Sequence, residues 1–280
     1  MEVQPEASVR ALDELVRGRL VGRDAELETL RDLWRLAIDG TARMALVSGE
    51  PGSGKTRLVR EILVQARLRG AKVLEGGSYE YEATTPYLPF VECIGRWVRG
   101  ASAAELEALD PAMVTELARL APELSSRVPQ EAAAPKLSPA EERLRLFDHV
   151  GRFLELLGRE RGLVMFLDDL QWADQGSLGL LHFVMRQNRN ARLFVLAAYR
   201  DTELDRSSEV ARVLTEWHRE RLATRVRLPR LSREETEELL FTLLGSRNMP
   251  RAFVDAVFQE TDGNPFFVEE VLKALGERGQ

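Results

Sequence analysis

The chain has 280 residues, 44% of them hydrophobic and 30% charged, with a formal net charge of −6 and a single cysteine. That length carries one large α/β domain or a core with a small second domain, and a mildly acidic, mixed-sign surface argues against this segment holding duplex DNA by itself. The lone Cys93 excludes an intramolecular disulfide, and with neither a signal-peptide core nor an apolar run of membrane-spanning length the expected setting is cytoplasmic, with no membrane partner.

Residues 1–19 read as a loose N-terminal tail. Leu20 to Asp24 then lead into Leu27, Leu30, Leu33, Trp34, Ala37 and Ile38, which share one helical face, with Asp24 as the expected N-cap. The apolar run Met44 to Val47 predicts a strand, and directly after it Gly49-Glu50-Pro51-Gly52-Ser53-Gly54-Lys55-Thr56 fits the phosphate-loop pattern. The chemistry explains the residue types. Gly52 and Gly54 let backbone N–H groups approach phosphate oxygens without a Cβ in the way, Lys55 supplies a cation to the β- and γ-phosphates, and the Thr56 hydroxyl suits Mg²⁺. Arg57 opens a stretch of helical spacing, so the positive end of a helix dipole faces the anion.

Gly70 should end that helix and Lys72 to Glu75 form the next strand. The two prolines of Thr84-Thr85-Pro86-Tyr87-Leu88-Pro89-Phe90 argue against regular structure up to Phe90. Residues 91–139 read as an insertion: short helices broken at Gly95, Gly100, Pro111 and Pro122, then a Pro/Ala-rich surface loop. Ser138 is placed to cap a long helix carrying Leu144, Phe147, Val150, Phe153, Leu154 and Leu157. Two unbroken apolar runs, Leu163 to Leu167 and Leu193 to Ala198, predict strands covered on both faces, with a weaker one at Arg225 to Leu228. Strands alternating with helices indicate a parallel sheet sandwiched by helices. After Pro229 only helical patterns follow, starting at a Ser232/Glu235 capping box, so a boundary is placed there: an α/β domain at 20–229 and a small helical domain at 230–280.

Asp168 and Asp169 follow the central strand directly, at the end where such sheets bind ligands. Asp168 is assigned to the metal through water, and Asp169 to the attacking water. Arg200 ends the next strand. It either senses the γ-phosphate or pairs with Asp201 or Glu203. His149, His182 and His218 show no metal-ligand spacing, and Cys93 reads as a buried, inert thiol.

With these residues in order, the chain resembles the STAND class of P-loop ATPases, an AAA+-like group, and looks closest to the ATPase module of large LuxR-type transcriptional regulators. Val21-Gly22-Arg23-Asp24 looks like the family's N-terminal motif, Leu167 to Asp174 is similar to its Walker B extension, Tyr199-Arg200 to its sensor, and Gly263-Asn264-Pro265 to its Gly-x-Pro element. The resemblance implies ATP or ADP between an α/β core and a helical lid, with Val21, Gly22 and Arg23 near the adenine end and Pro265 packed against the base. It also implies domains beyond this segment, making the chain an excised module or a short stand-alone member.

The function expected is a regulatory switch that binds Mg-ATP, hydrolyses it slowly to ADP and phosphate, and changes its contacts with other domains or with further copies. Asp169 is one methylene shorter than the glutamate of motor-type relatives, which favours slow turnover. A ring motor would need an intersubunit arginine finger and a P-loop kinase an acceptor pocket; neither is evident in the sequence. A degenerate module holding nucleotide for structure alone would not need Lys55, Thr56 and Asp168 together.

Overall fold

The computed structural model describes residues 20–82, 85–128, 137–204 and 208–277; the expected tail at 1–19, Thr84 and the Pro/Ala-rich stretch 129–136 lie outside them. Each apolar run becomes a strand: β1 (Arg43–Gly49), β2 (Lys72–Gly77), β3 (Leu163–Asp168), β4 (Leu193–Arg200) and β5 (Thr224–Arg227). They form one five-stranded sheet in the order β2-β3-β4-β1-β5, every neighbouring pair parallel.

The absence of polar alternation has a direct cause, because both faces of the sheet are covered. Successive residues feed opposite layers. Ala45, Val47, Val164, Phe166, Leu196 and Ala198 face the helices α1 (Asp24–Ile38) and α2 (Lys55–Leu68), where Leu30, Trp34, Leu58 and Ile62 are buried. Met44, Leu46, Met165, Leu167, Val195 and Ala197 face the other layer. That layer holds α3 (Leu88–Gly100), α4 (Ala103–Glu107), α5 (Pro111–Leu117), α6 (Pro139–Gly158), α7 (Gln175–Gln187) and α8 (Glu209–Arg219). β5 is an edge strand, and only Val226 of its four residues is buried, which is why its sequence signal is weak.

The C-terminal helices α9 (Arg233–Leu244), α10 (Arg251–Thr261) and α11 (Pro265–Glu277) enclose a separate small core of Leu240, Val254, Val257 and Val268. Ser232 and Glu235 form the expected capping box, as do Ser138 and Glu141 at α6.

Four local expectations change. Asp24 is the first helical residue rather than the N-cap, which is Arg23 without a side-chain cap; the carboxylate still favours the positive dipole end. A helix begins at Leu88, inside the proline-bearing stretch, because Pro89 occupies the first turn, where no N–H is needed. Gly95 does not break α3, which runs through to Gly100. Leu144 lies on the solvent side of α6, 57% exposed. Gly76 explains how α3 lies so close to the sheet: a Cβ there would stand 2.1 Å from the Pro89 carbonyl oxygen and 3.0 Å from Cys93 Sγ. Cys93 is buried, and desolvation raises its thiol pKa far above the ordinary range, so it is inert.

Candidate functional site

The carboxyl ends of β1, β3 and β4 meet at one rim. Register puts Gly49, the last residue of β1, beside Arg200, the last of β4. The loop between β1 and α2 turns at Gly52 and Gly54, both with positive φ (79° and 93°), a conformation glycine adopts without a Cβ penalty. A Cβ on Gly54 would meet nothing within 4 Å and would project into open space. The Ser53 hydroxyl is buried in the same loop without a hydrogen-bond partner among the described residues. Open space at Gly54 and an orphaned buried hydroxyl fit an anionic ligand at this loop.

Lys55 is buried and donates from Nζ to the carbonyl oxygens of Gly49 and Glu50, 2.9 Å each. Burial, then the charge of Arg200, lowers its pKa. Thr56 donates from Oγ1 to Asp168 Oδ2 at 3.1 Å, joining loop to β3. A hydroxyl and a carboxylate side by side at a phosphate loop are hard oxygen donors suited to Mg²⁺. Burial, then the neighbouring charge of Asp169, raises the Asp168 pKa.

The carboxylates of the two adjacent acids meet different partners, Thr56 for Asp168 and residues on the β4 side for Asp169. Asp169 has a left-handed backbone (φ 51°), and its carboxylate turns toward β4. There Oδ1 accepts from Arg200 Nε at 3.1 Å and from Gln171 Nε2 at 2.8 Å. Arg200 also donates to Glu203 at 2.8 Å, and that bond, ahead of Asp169, raises its pKa. Of the two expected ion-pair partners Arg200 takes Glu203, and it stands at the rim beside Asp169; Asp201 pairs instead with Arg225 and Arg227.

Asp174, the last acid of this segment, is structural. It caps α7 by accepting from the Ser177 N–H and accepts from the Tyr87 N–H at 3.1 Å, fixing the start of α3. His182 likewise accepts from the buried Trp217 indole across α7 and α8 at 3.0 Å.

The remaining predicted residues fall around the same rim. Arg23 is buried and donates to the Pro229 carbonyl and, at 3.5 Å, to the Ser53 carbonyl, so it ties the N-terminal motif to the loop and to the link before α9. Desolvation lowers its pKa. Val21 is buried, and Gly22 (φ 65°) passes so near α9 that a Cβ would stand 2.7 Å from Glu235 Cδ. Arg57 is half-buried in the first turn of α2. Pro265 opens α11 and, with Gly49, Glu50, Ser53, Pro229 and Asn264, lines a cavity of about 400 Å³.

Sequence reasoning missed three contributors. Asn264 donates from Nδ2 to the Pro51 carbonyl at 2.9 Å, and the Phe266 N–H to the Gly52 carbonyl at 3.3 Å, so α11 sits directly on the loop. Arg230 bridges Glu50, at 2.7 Å, and Asp262. Gln171 joins Asp169 to β4. Asn264 and Gln171 had a signal, standing inside segments singled out as motifs; Arg230 had none.

Residues 19–196 match the AAA ATPase domain family. The chain belongs to that family. Residues 232–279 match a second family, described as a domain of unknown function. A curated relative, an uncharacterised protein of Rhizobium meliloti (strain 1021), is 25% identical over 276 residues, covering 93% of this chain and 25% of its own length. The chain thus spans about a quarter of that relative. Among solved structures, ORC2 of Aeropyrum pernix, in ADPNP and ADP complexes, superposes with a TM-score of 0.52 at 15% identity, over 94% of this chain and 65% of that one. A structure of Drosophila ORC bound to DNA gives 0.53 at 14% identity, over 100% and 64%. DnaA of Aquifex aeolicus, bound to AMPPCP, gives 0.50 at 15% identity, over 93% and 64%. At such identities the likeness is one of fold: the AAA+ arrangement of a parallel sheet, flanking helices and C-terminal helices. Among the described residues no helix is long and apolar enough to cross a membrane.

Proposed function

We propose that the chain is a nucleotide-operated switch module of STAND type within a larger regulatory protein. It binds ATP with magnesium, hydrolyses it slowly, and changes its contacts with neighbouring domains or copies according to what it holds. The observation that carries this reading is the Thr56 hydroxyl on the Asp168 carboxylate at 3.1 Å, directly beside Lys55 at the mouth of the phosphate loop. The nucleotide complexes of two fold neighbours, and a relative four times longer, support the ligand and the larger context.

The loop's N–H groups and the start of α2 take the phosphates. Lys55 leaves the Gly49 and Glu50 carbonyls for the β- and γ-phosphate oxygens. Thr56 and Asp168 are the residues that would hold magnesium, which would supply charge neutralisation for those phosphates. Asp169 accepts a proton from the attacking water as its oxygen bonds to the γ-phosphorus and the bond to the β,γ-bridging oxygen breaks, releasing ADP. Arg200 moves from Asp169 to the developing charge. Pro229 is the hinge between residues 20–229 and the lid that follows, and Pro265 meets the base.

The test is turnover by the purified chain beside two variants, with bound nucleotide identified after denaturation. Lys55→Ala should weaken nucleotide binding by about tenfold or more. Asp169→Asn should keep binding and lose roughly 100-fold in turnover. Unchanged binding by the Lys55 variant would remove the phosphates from this loop. Fast turnover that rises with protein concentration would make the chain a ring motor instead.

A further inference from the structure

We propose that Gln171 is a positioning residue, whose side-chain amide holds the Asp169 carboxylate at the rim of the sheet while Arg200 comes and goes. This rests on the reading of Asp169 as the group that takes the water's proton.

The Asp169 carboxylate has two partners of different character. Arg200 reaches it with Nε at 3.1 Å and with a second nitrogen at 3.5 Å, but it is 35% exposed and its other arm is on Glu203. Such a long, solvated, shared side chain is free to turn toward a phosphate. Gln171 is only 8% exposed and is fixed at both ends. Its Nε2 donates to Asp169 Oδ1 at 2.8 Å, and its Oε1 accepts the Arg200 backbone N–H at 3.1 Å. The amide orientation follows from its partners, since a carboxylate can only accept here and a backbone N–H can only donate. The anchor is therefore the main chain of β4, which does not leave when the Arg200 side chain does.

The chemistry of an amide suits this task. A neutral donor orients a carboxylate without adding a compensating charge, so Asp169 stays in place when Arg200 departs. Without Gln171, departure of Arg200 would release the carboxylate altogether, since among the described residues no other side-chain donor bonds it. The left-handed backbone at Asp169, uncommon for a residue with a Cβ, is what turns the carboxylate toward this donor rather than toward Thr56.

The experiment measures kcat and nucleotide affinity for the full chain and for Gln171→Met, Gln171→Glu, Asp169→Asn and the double variant Asp169→Asn/Gln171→Met. Gln171→Met, close in shape but without the amide, should bind nucleotide within about twofold of wild type and lose roughly 30-fold in kcat. In the Asp169→Asn background the same change should cost nothing further, because the two residues act as one unit. Gln171→Glu keeps the shape but sets a carboxylate, which accepts rather than donates, against Asp169, in a setting that also holds Asp168, Glu203, Lys55 and Arg200. It should lose at least as much kcat as the Met variant at unchanged nucleotide affinity. Should the Met variant fold poorly, Gln171→Glu decides the matter. Full activity in Gln171→Met overturns the inference, as does an equal loss in the Asp169→Asn background or full activity in Gln171→Glu. If wild type turns over and Gln171→Met matches it, only the role of Gln171 falls; if wild type shows no turnover, the reading of Asp169 falls with it.

Discussion

The Asp168 carboxyl is carried in the folded chain at a cost, because burial and the adjacent Asp169 both raise its pKa. The sign follows from proton linkage. An acid whose folded pKa lies above its unfolded value binds more protons when folded, so its contribution is fully present below the ordinary carboxylate range and is lost as the pH rises through the folded value. Asp168→Asn should therefore melt above wild type at pH 8 in the absence of Mg²⁺ and nucleotide, with the gap narrowing as the pH is lowered toward 4. Calorimetry across that range reads it, and a gap that widens toward acid would contradict the assigned burial. The same variant should lose the stabilisation that Mg-nucleotide gives to wild type. Residues such as Lys55, Thr56 and Asp168 were legible beforehand because a short local pattern sets their chemistry. The left-handed turn at Asp169 and the two-ended bonding of Gln171 were not, because both depend on where β4 ends relative to β3.

Between α3 and β2 the fit is set by one missing side chain. Gly76→Ala would push a methyl group against the Pro89 carbonyl, 2.1 Å away, where the obstacle is helix backbone rather than a movable side chain. The expected loss is about 3 kcal/mol, read as a lower denaturant midpoint with an unchanged slope. Ser138→Ala at the cap of α6 should cost only about 1 kcal/mol, since it removes one capping acceptor at an exposed helix end. A smaller loss for Gly76→Ala than for Ser138→Ala would mean that α3 does not rest on the sheet as described. Strands β1, β3 and β4 could be read from the sequence because each is covered on both faces and so is apolar throughout. The order β2-β3-β4-β1-β5 could not, since no local pattern says which buried strands are neighbours. The helix start at Leu88 was obscured for a different reason, as proline excludes a helix interior but suits its first turn.

Across the whole molecule, the C-terminal helices meet the phosphate loop through few contacts, and their kinds differ. The Asn264 and Phe266 bonds to loop carbonyls are short-range and depend on backbone position. The Arg230 bridge between Glu50 and Asp262 is ionic, and its members are 42%, 36% and 73% exposed. Exposed ion pairs are worth at most about 1 kcal/mol each and weaken with salt, so this bridge adds little to folding. Arg230 nevertheless pairs with one carboxylate of the loop and one of the C-terminal helices, so under the proposed switch its loss should appear in how long those helices stay on the loop. Arg230→Ala should leave the melting temperature nearly unchanged while speeding nucleotide dissociation by up to about 30-fold at low ionic strength, the two pairs setting the ceiling. The difference from wild type should shrink at high salt. Stopped-flow release of a fluorescent nucleotide at two salt concentrations measures both effects, and an accelerated release that ignores salt would assign the latch to Asn264 and Phe266 instead.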